Sequence, residues 1–318
     1  MMDCTDRHER FFLRLISKNV LLYTEMIVSE AISRGDKKKL LAFNLNEKPL
    51  ALQVGGSSAK LLAEAAKTGE DFGYDEINLN LGCPSRKVQK NKFGACLIKE
   101  PNLVADCLTE MMASCSLPVT VKTRIGYDDV EDYESLKNFI KILKKTGVKT
   151  FIIHARKAML GKFTPKQNLN IPPLKHDIVY RLKKDFPEEE VIINGGINSI
   201  YQIKNHLEKV DGVMIGRSVY HSPYFLAEIE REIFNNDNIL SRKEIIENLI
   251  PYVKSEIKKG TRLNQIMRHT IGLFHGQTGA NFWKRYLSEN MCVRNADVQK
   301  INHIMDKITF NYLERSVS

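Results

Sequence analysis

The stretch YDEINLNLGCPS, residues 74–85, holds a short strand, EINLN at 76–80, that stops at a Gly82-Cys83-Pro84 turn. Its alternation of apolar and polar residues is the period of a strand with two unlike faces. Six more segments of this kind lie on either side of it: LLYT at 21–24, LALQV at 50–54, VTVKTR at 119–124, TFIIHA at 150–155, VIIN at 191–194 and GVMI at 212–215. Helical spacing fills the intervals. Leu61, Leu62, Ala65 and Ala66 share one helical face, as do Leu103, Ala105, Leu108 and Met111, and then Leu136, Phe139, Ile140 and Leu143. Strands that alternate with helices build a parallel sheet. A further helix precedes the first of these strands, with Thr5 or Asp6 as its N-cap and Phe11, Phe12, Leu15 and Ile16 on its apolar side.

Seven strands and an opening helix are one strand short of a TIM (β/α)8 barrel, so the expected fold is α/β, a barrel whose first strand is missing ahead of Met1-Met2. A doubly wound sheet is the alternative. It would ordinarily carry a G-x-G-x-x-G turn after its first strand, and the sequence has none. From about residue 240 the pattern changes, with no further strand signals. After the polar break Asn235-Asn236-Asp237-Asn238, Ser241-Arg242-Lys243-Glu244 forms a capping box ahead of Ile245, Ile246, Leu249, Ile250, Val253 and Ile257. The expected division is a barrel over 1–234, a linker over 235–240 and a helical domain over 241–318, punctuated by Gly260 and by Gly272 to Gly279.

The 318 residues are 43% hydrophobic and 27% charged, which is ordinary globular composition. No apolar run nears the roughly 18 residues needed to cross a bilayer, and the first residues lack the apolar core of a signal peptide. A membrane or secreted protein is not expected. The six cysteines, at 4, 83, 96, 107, 115 and 292, form no C-x-x-C pair and no metal-like cluster, which fits a reducing, cytoplasmic setting. The net charge is +10, and residues 241–318 carry thirteen basic against seven acidic side chains. Such a basic segment suits an anionic polymer, although a soluble basic surface reads the same way.

In a barrel of this kind the active site lies at the carboxyl ends of the strands. Those ends carry Gln53, Asn78 and Asn80, Lys122 and Arg124, His154 and Arg156, Asn194-Gly195-Gly196, and Gly216-Arg217. Amides and charges within apolar strands cost free energy unless partnered, so their convergence points to a polar ligand. The turns Asn194-Gly195-Gly196 and Gly216-Arg217 stand where barrels commonly bind phosphate, with glycines that let backbone amides approach. Arg217 adds a two-pronged cation. Lys122 would face an electron-rich ring edge such as that of a reduced flavin, and Gln53 could pair donor and acceptor with the amide edge of that ring. His154 on a random apolar strand would be a core imidazole; its place at the strand ends with Lys122 makes it a ligand residue instead. Cys83, between Gly82 and Pro84 with Arg86, Lys87 and Lys90 nearby, can present its thiol as acid or nucleophile. Cys96, Cys107 and Cys115 read as structural, and Trp283 reads as core.

YTEM at 23–26, ALQVGG at 51–56, YDEINLNLGCPS at 74–85, VQKNKFGACL at 88–97, VKTRIG at 121–126, IIHARKA at 152–158, NGGI at 194–197 and DGVMIGR at 211–217 together resemble the flavin-dependent tRNA-dihydrouridine synthases. PPL at 172–174, HTIGLFHGQTGANFWKRYLSEN at 269–290 and the opening MMDCTDRHERFF resemble the A-type, which reduces uridines 20 and 20a of the D-loop. The resemblance implies a TIM barrel holding FMN, a helical domain gripping tRNA, and NADPH as hydride donor, with NADH as the alternative. It implies further that Met2, Gln53, Lys122, His154, Asn194, Gly195, Gly196, Gly216 and Arg217 hold FMN and that Cys83 is the proton donor. Asn80 would contact the target uridine, and Arg124, Arg156, Lys166, Asn168, Lys284 and Arg285 would contact tRNA. The expected partner is tRNA, with no membrane and no metal, and the expected state is a monomer.

The sequence departs from the family where Asn281 and Lys284 stand in place of arginines, and at the start, where the family has a strand ending in Ala-Pro. A truncated sequence is the favoured account of that start. Two other readings stay open: a small-molecule FMN reductase of the dihydroorotate type, and a non-catalytic tRNA-binding homologue that has lost its flavin.

Overall fold

The computed structural model describes residues 1–130 and 132–291. Among the described residues there are eight strands: β1 (Leu22–Tyr23), β2 (Ile27–Val28), β3 (Leu50–Gly55), β4 (Glu76–Asn80), β5 (Val119–Arg124), β6 (Thr150–His154), β7 (Glu190–Asn194) and β8 (Gly212–Met214). All pair in parallel in the order β1-β3-β4-β5-β6-β7-β8, and β2 also pairs with β3. The segment expected as one strand at 21–24 is therefore the first half of an interrupted one. Leu22 and Tyr23 lie opposite Leu50 and Ala51, and Ile27 and Val28 lie opposite Val54 and Gly55. At the break, the Thr24 hydroxyl accepts the Gln53 N–H at 2.9 Å while the Thr24 N–H reaches the Ala51 carbonyl at 3.0 Å. A side chain thus takes over a rung of the ladder. Counting β1 and β2 as one position gives the seven expected. The sheet is a parallel half-barrel with no pairing between β8 and β1 among the described residues.

Crossover helices fill the intervals where the apolar spacing placed them, but in the second of them Leu103 and Ala105 are only half-buried and Val104 and Cys107 turn inward instead. The helix Ala59–Phe72 buries Leu62, Ala65 and Ala66; Pro101–Ser114 buries Val104, Cys107, Leu108 and Met111; Tyr133–Lys144 buries Leu136, Phe139, Ile140 and Leu143. The first and third are capped by short polar side chains, Ser58 accepting from Leu61 N–H and Asp132 from Ser135 N–H, whereas Pro101–Ser114 starts at a proline without a side-chain cap. His176–Asp185 and Ile200–Leu207 follow β6 and β7.

The chain falls into two compact units, drawn differently from the division expected at 235–240. One comprises Met1–Met2, Leu21–Phe43 and Lys48–Ile215, and holds the whole sheet. The other gathers Asp3–Val20, Asn44–Glu47 and the residues from Gly216 onward. Residues 235–240 are a break between the helices Phe225–Phe234 and Arg242–Lys258, both in the second unit. The expected capping box is present: Ser241 N–H reaches Glu244 at 2.7 Å and Glu244 N–H reaches the Ser241 hydroxyl at 3.3 Å. The part of the expected tail at 292–318, with Cys292, lies outside the described residues.

Within the second unit the helix Arg7–Ile16 is more than an apolar stripe. Its N-cap is Asp6, and Phe11, Phe12, Leu13 and Ile16 are buried together with His8, Glu9, Arg10 and Arg14. Arg10 pairs with Glu47 at 2.7 Å, and Arg14 donates to the Glu47 and Ser17 carbonyls. Asp6 receives Arg268 at 2.7 Å and His269 at 3.0 Å, and the other ring nitrogen of His269 lies 3.1 Å from Glu9. Burial opposes a charge on His269, but these two carboxylates outweigh it and push the imidazole up to about 8. Trp283 is fully buried as expected, and its indole N–H donates to the Thr270 carbonyl at 2.9 Å.

Glu230, almost wholly buried, collects the Ser17 hydroxyl, the Asn19 backbone and side chain at 3.1 and 2.7 Å, and the Asn236 amide at 2.7 Å. Glu230→Ala strands four donors, so it should cost roughly 3 kcal/mol of stability. Urea denaturation followed by circular dichroism measures this; an unchanged midpoint would show that the carboxylate contributes nothing.

Candidate active site

Side chains two apart on a strand share a face, and the ladder registers line such residues into rows across the sheet. Gln53, Asn78 and Thr120 are partners in one row. Asn80 and Lys122 are partners in the next, continued by Ile152, Ile192 and Gly212. Arg124, His154, Asn194 and Met214 make the third. Most of the candidate residues of the first unit thus share one face at one end of the strands, because their spacing within each strand is even.

Hydrogen bonds join the first two rows. The Tyr23 hydroxyl and the Thr120 hydroxyl both donate to Glu76, at 2.9 and 2.6 Å. The Asn78 amide donates to the Thr120 hydroxyl at 2.8 Å and accepts from Gln53 at 2.8 Å. Gln53 in turn accepts from Asn80 at 2.8 Å. Finally, Asn80 Oδ1 accepts the backbone N–H groups of Gly82 and Cys83, at 3.0 and 2.9 Å. Each link fixes the orientation of the next amide, from the buried Glu76 to the backbone that carries the Cys83 thiol. Thr120 and Thr24 are not among the residues the sequence marks, and Asn78 stands there only as a strand-end amide. Alternation alone points to Thr120, since V-T-V-K-T-R puts it on the face of Lys122.

Cys83 is half-buried. Its carbonyl receives the Ala95 N–H at 3.0 Å, and a Cβ on Gly94 would lie 2.7 Å from that same oxygen, at a φ of +72°. Only glycine permits so close an approach. Lys122 spans β6 to donate to Asn194 Oδ1 at 3.0 Å, and Asn194 Nδ2 donates to the Met214 carbonyl at 2.7 Å. Burial, with some help from Arg124, pushes the Lys122 ammonium down to about 7, while Cys83 pulls the other way. His154 is buried, and its Nδ1 accepts the Arg156 N–H at 3.2 Å. Gly195 and Gly196 have φ of +119° and +74°; a Cβ would meet His154 Cε1 at 3.2 Å on the first and Leu174 Cδ1 at 2.4 Å on the second.

Several residues expected to face tRNA do other work. Arg124 is buried and donates to the carbonyls of Gly82, Lys157 and Asn168 at 2.8, 3.1 and 3.3 Å, so its Nε and Nη1 tie loops together. Asn168 is completely buried; it accepts Met159 N–H at 2.7 Å and donates to Met159, Phe163 and Thr164 carbonyls. A polar side chain in a short loop is used there to satisfy backbone groups that would otherwise be stranded. Arg156, half-buried, donates to the Pro172 carbonyl. Lys166 is exposed on the helix Pro165–Asn170. Lys284 is half-buried and Arg285 exposed on Ala280–Asn290, the latter 3.9 Å from Glu289. Met2 is 56% exposed, and Gly216 and Arg217 open the helix Arg217–His221 of the second unit. Among the described residues no cluster of His, Cys, Asp or Glu could hold a metal ion, and no helix is long and apolar enough to cross a membrane.

The family model described as dihydrouridine synthase (Dus) matches residues 1–309. Among similar proteins, tRNA-dihydrouridine(20/20a) synthase of Synechocystis sp. is 51% identical over 297 residues, covering 93% of this chain and 89% of its own. The protein of the same name from Shewanella oneidensis is 49% identical, covering 95% and 90%, and that of Escherichia coli is 50% identical, covering 96% and 89%. Among solved structures, morphinone reductase in complex with tetrahydroNAD superposes with a TM-score of 0.52 at 10% identity, over 74% of this chain and 83% of that one, a likeness of fold.

The Lys122 ammonium ordinarily titrates near 10.5, so with about 7 in the folded chain the unfolded chain holds the extra proton between those values. Stability therefore rises with pH across that window, and the cost of burying the charge is complete below it. In flavin-free protein, Lys122→Met should gain on the wild type most near pH 6 and lose that advantage towards pH 10. Urea midpoints across the range test this, and a gap independent of pH would contradict it.

Proposed function

Because the chain belongs to the dihydrouridine synthase family, we propose that it reduces the C5–C6 double bond of uridines 20 and 20a in tRNA to dihydrouridine, using bound FMN and NADPH. The observation that carries the reading is the hydrogen-bonded run from Gln53 through Asn80 to the backbone of Cys83, in the row beside Lys122. This run holds an acid, a base-binding amide and a cation at one end of the strands.

The residues suit a flavin. Gly195 and Gly196 form a turn in which side chains have no room, so it offers backbone N–H groups, the donors a phosphate takes. Gln53 uses one amide hydrogen on Asn78 and one lone pair on Asn80, which leaves one of each for a ring edge that both donates and accepts. Lys122, easily deprotonated alone, is a cation that gains its charge when an anionic ring edge faces it. His154 packs on the glycine turn. When bound, the flavin would supply the hydride, taken from NADPH and passed to C6 of uracil.

The other half of the reduction is the work of Cys83, which delivers its thiol proton to C5. Lys122 and Arg124 lie within electrostatic reach of its sulfur. Asn80 keeps one amide hydrogen beyond that given to Gln53, a donor for the uracil edge. Because a base stacked inside tRNA cannot reach such a pocket, the nucleotide must be swung out, at a cost of a few kcal/mol met by phosphate contacts. We assign such contacts to Lys166, Lys284 and Arg285, and place the protein in the cytoplasm as a monomer.

Cys83→Ala should retain flavin and its bleaching by NADPH yet lower dihydrouridine formation by about two to four orders of magnitude. Nucleoside mass spectrometry of tRNA measures the product, and an undiminished yield would remove Cys83 from its role. Reversing the charge of both Lys284 and Arg285 to Glu should weaken tRNA binding and flatten its salt dependence while leaving NADPH oxidation intact. A small-molecule reductase would be indifferent to that change in every assay.

A further inference from the structure

The glycine turn after β7 is braced from outside by the segment 172–176. Lys175 N–H donates to the Ala155 carbonyl at 2.8 Å, which anchors the segment to the end of β6. Leu174 fills the space that a side chain on Gly195 or Gly196 would need. The next residue but one, His176, opens the helix His176–Asp185 and sets its Nε2 2.9 Å from the Gly195 carbonyl oxygen. A carbonyl only accepts, so that nitrogen carries the proton. The His176 ring is itself held: His206 meets it edge-on at 4.8 Å and 80°, and the Tyr180 hydroxyl fixes His206 through Nδ1 at 2.8 Å. Burial, then His176 and Lys209, pushes His206 down to about 4, so His176 packs against an uncharged ring near neutrality.

A peptide unit is planar and trans, so the Gly195 carbonyl and the Gly196 N–H share a plane and point in opposite directions. Holding the oxygen against His176 therefore turns the N–H of Gly196, an exposed residue, away from it. Neither glycine could keep the plane by itself, since both lie in regions where glycine has unusual freedom. We propose that His176 is a positioning residue for the flavin phosphate: its hydrogen bond to the Gly195 carbonyl aims the Gly196 N–H at the anion and so sets the preference for a phosphorylated flavin. This rests on the reading of the Asn194-Gly195-Gly196 turn as the phosphate end of a flavin site. His176 was passed over in the sequence because it stands outside every strand end.

The test compares the binding of FMN and riboflavin, which share a ring system and differ in the phosphate, by quenching of flavin fluorescence. Wild-type protein should prefer FMN. His176→Phe, which keeps a ring and loses the donor, should lose about tenfold of that preference while its riboflavin affinity stays within about twofold. His176→Gln, which restores a donor at similar reach, should regain most of it, and His176→Ala serves as the donor-free variant if the Phe protein does not fold. Full preference in the donor-free variant overturns the role of His176 alone. Equal losses for both flavins would show a merely structural residue and overturn it too. A wild type without any preference for FMN would instead overturn the phosphate reading of the turn, and His176 with it.

Discussion

The carboxamide of Asn194 meets two obligations at once: its oxygen accepts from Lys122 at 3.0 Å and its nitrogen donates to the Met214 carbonyl at 2.7 Å. Neither group could be left alone, because an ammonium or a carbonyl taken out of water without a partner costs more than most single contacts return. The same necessity runs through Gln53, Asn78, Asn80, Thr120 and Glu76, where each amide is oriented by the one before it. A sheet interior filled with such groups is stable only when nearly all are satisfied together, and satisfaction in turn makes it rigid. Rigidity is what a site needs if a thiol, an amide and a cation are to meet one small ring.

Electrostatics follows from that arrangement. Lys122 is held by a neutral amide rather than by a carboxylate, so burial wins and its proton is loosely kept. Glu76, farther down the strands, accepts two hydroxyls and burial raises it above the ordinary carboxylate range. The end of the sheet that carries Cys83 therefore gains positive charge when an anion approaches.

The second unit solves a different problem with the same rule. Its first helix, Arg7–Ile16, buries four aromatic or aliphatic residues and also four ionisable ones. Arg10 finds Glu47, Arg14 finds two carbonyls, and Asp6 and Glu9 enclose His269. Buried ion pairs contribute little net stability compared with apolar packing, but removing one partner is costly, so they fix which segments belong together. Asp3–Val20 and Asn44–Glu47 accordingly join the helices that follow Gly216 rather than the sheet that surrounds them in the sequence.

Much of this was legible along the chain. Alternation in EINLN and VTVKTR, glycines after β7, and the capping box at Ser241 state their structures locally, because strand period, turn conformation and helix capping depend on neighbours a few residues away. Those signals determined the parallel α/β fold, its strand-end residues and, with the quoted motifs, the family. Tertiary structure alone decided that Thr24 replaces a rung of the ladder, that Arg124 and Asn168 are consumed in tying loops, that His176 grips Gly195, and that the first helix belongs to the second unit. Each of these is a pairing between groups far apart in sequence, and a sequence lists donors and acceptors without saying which of them burial will force to meet.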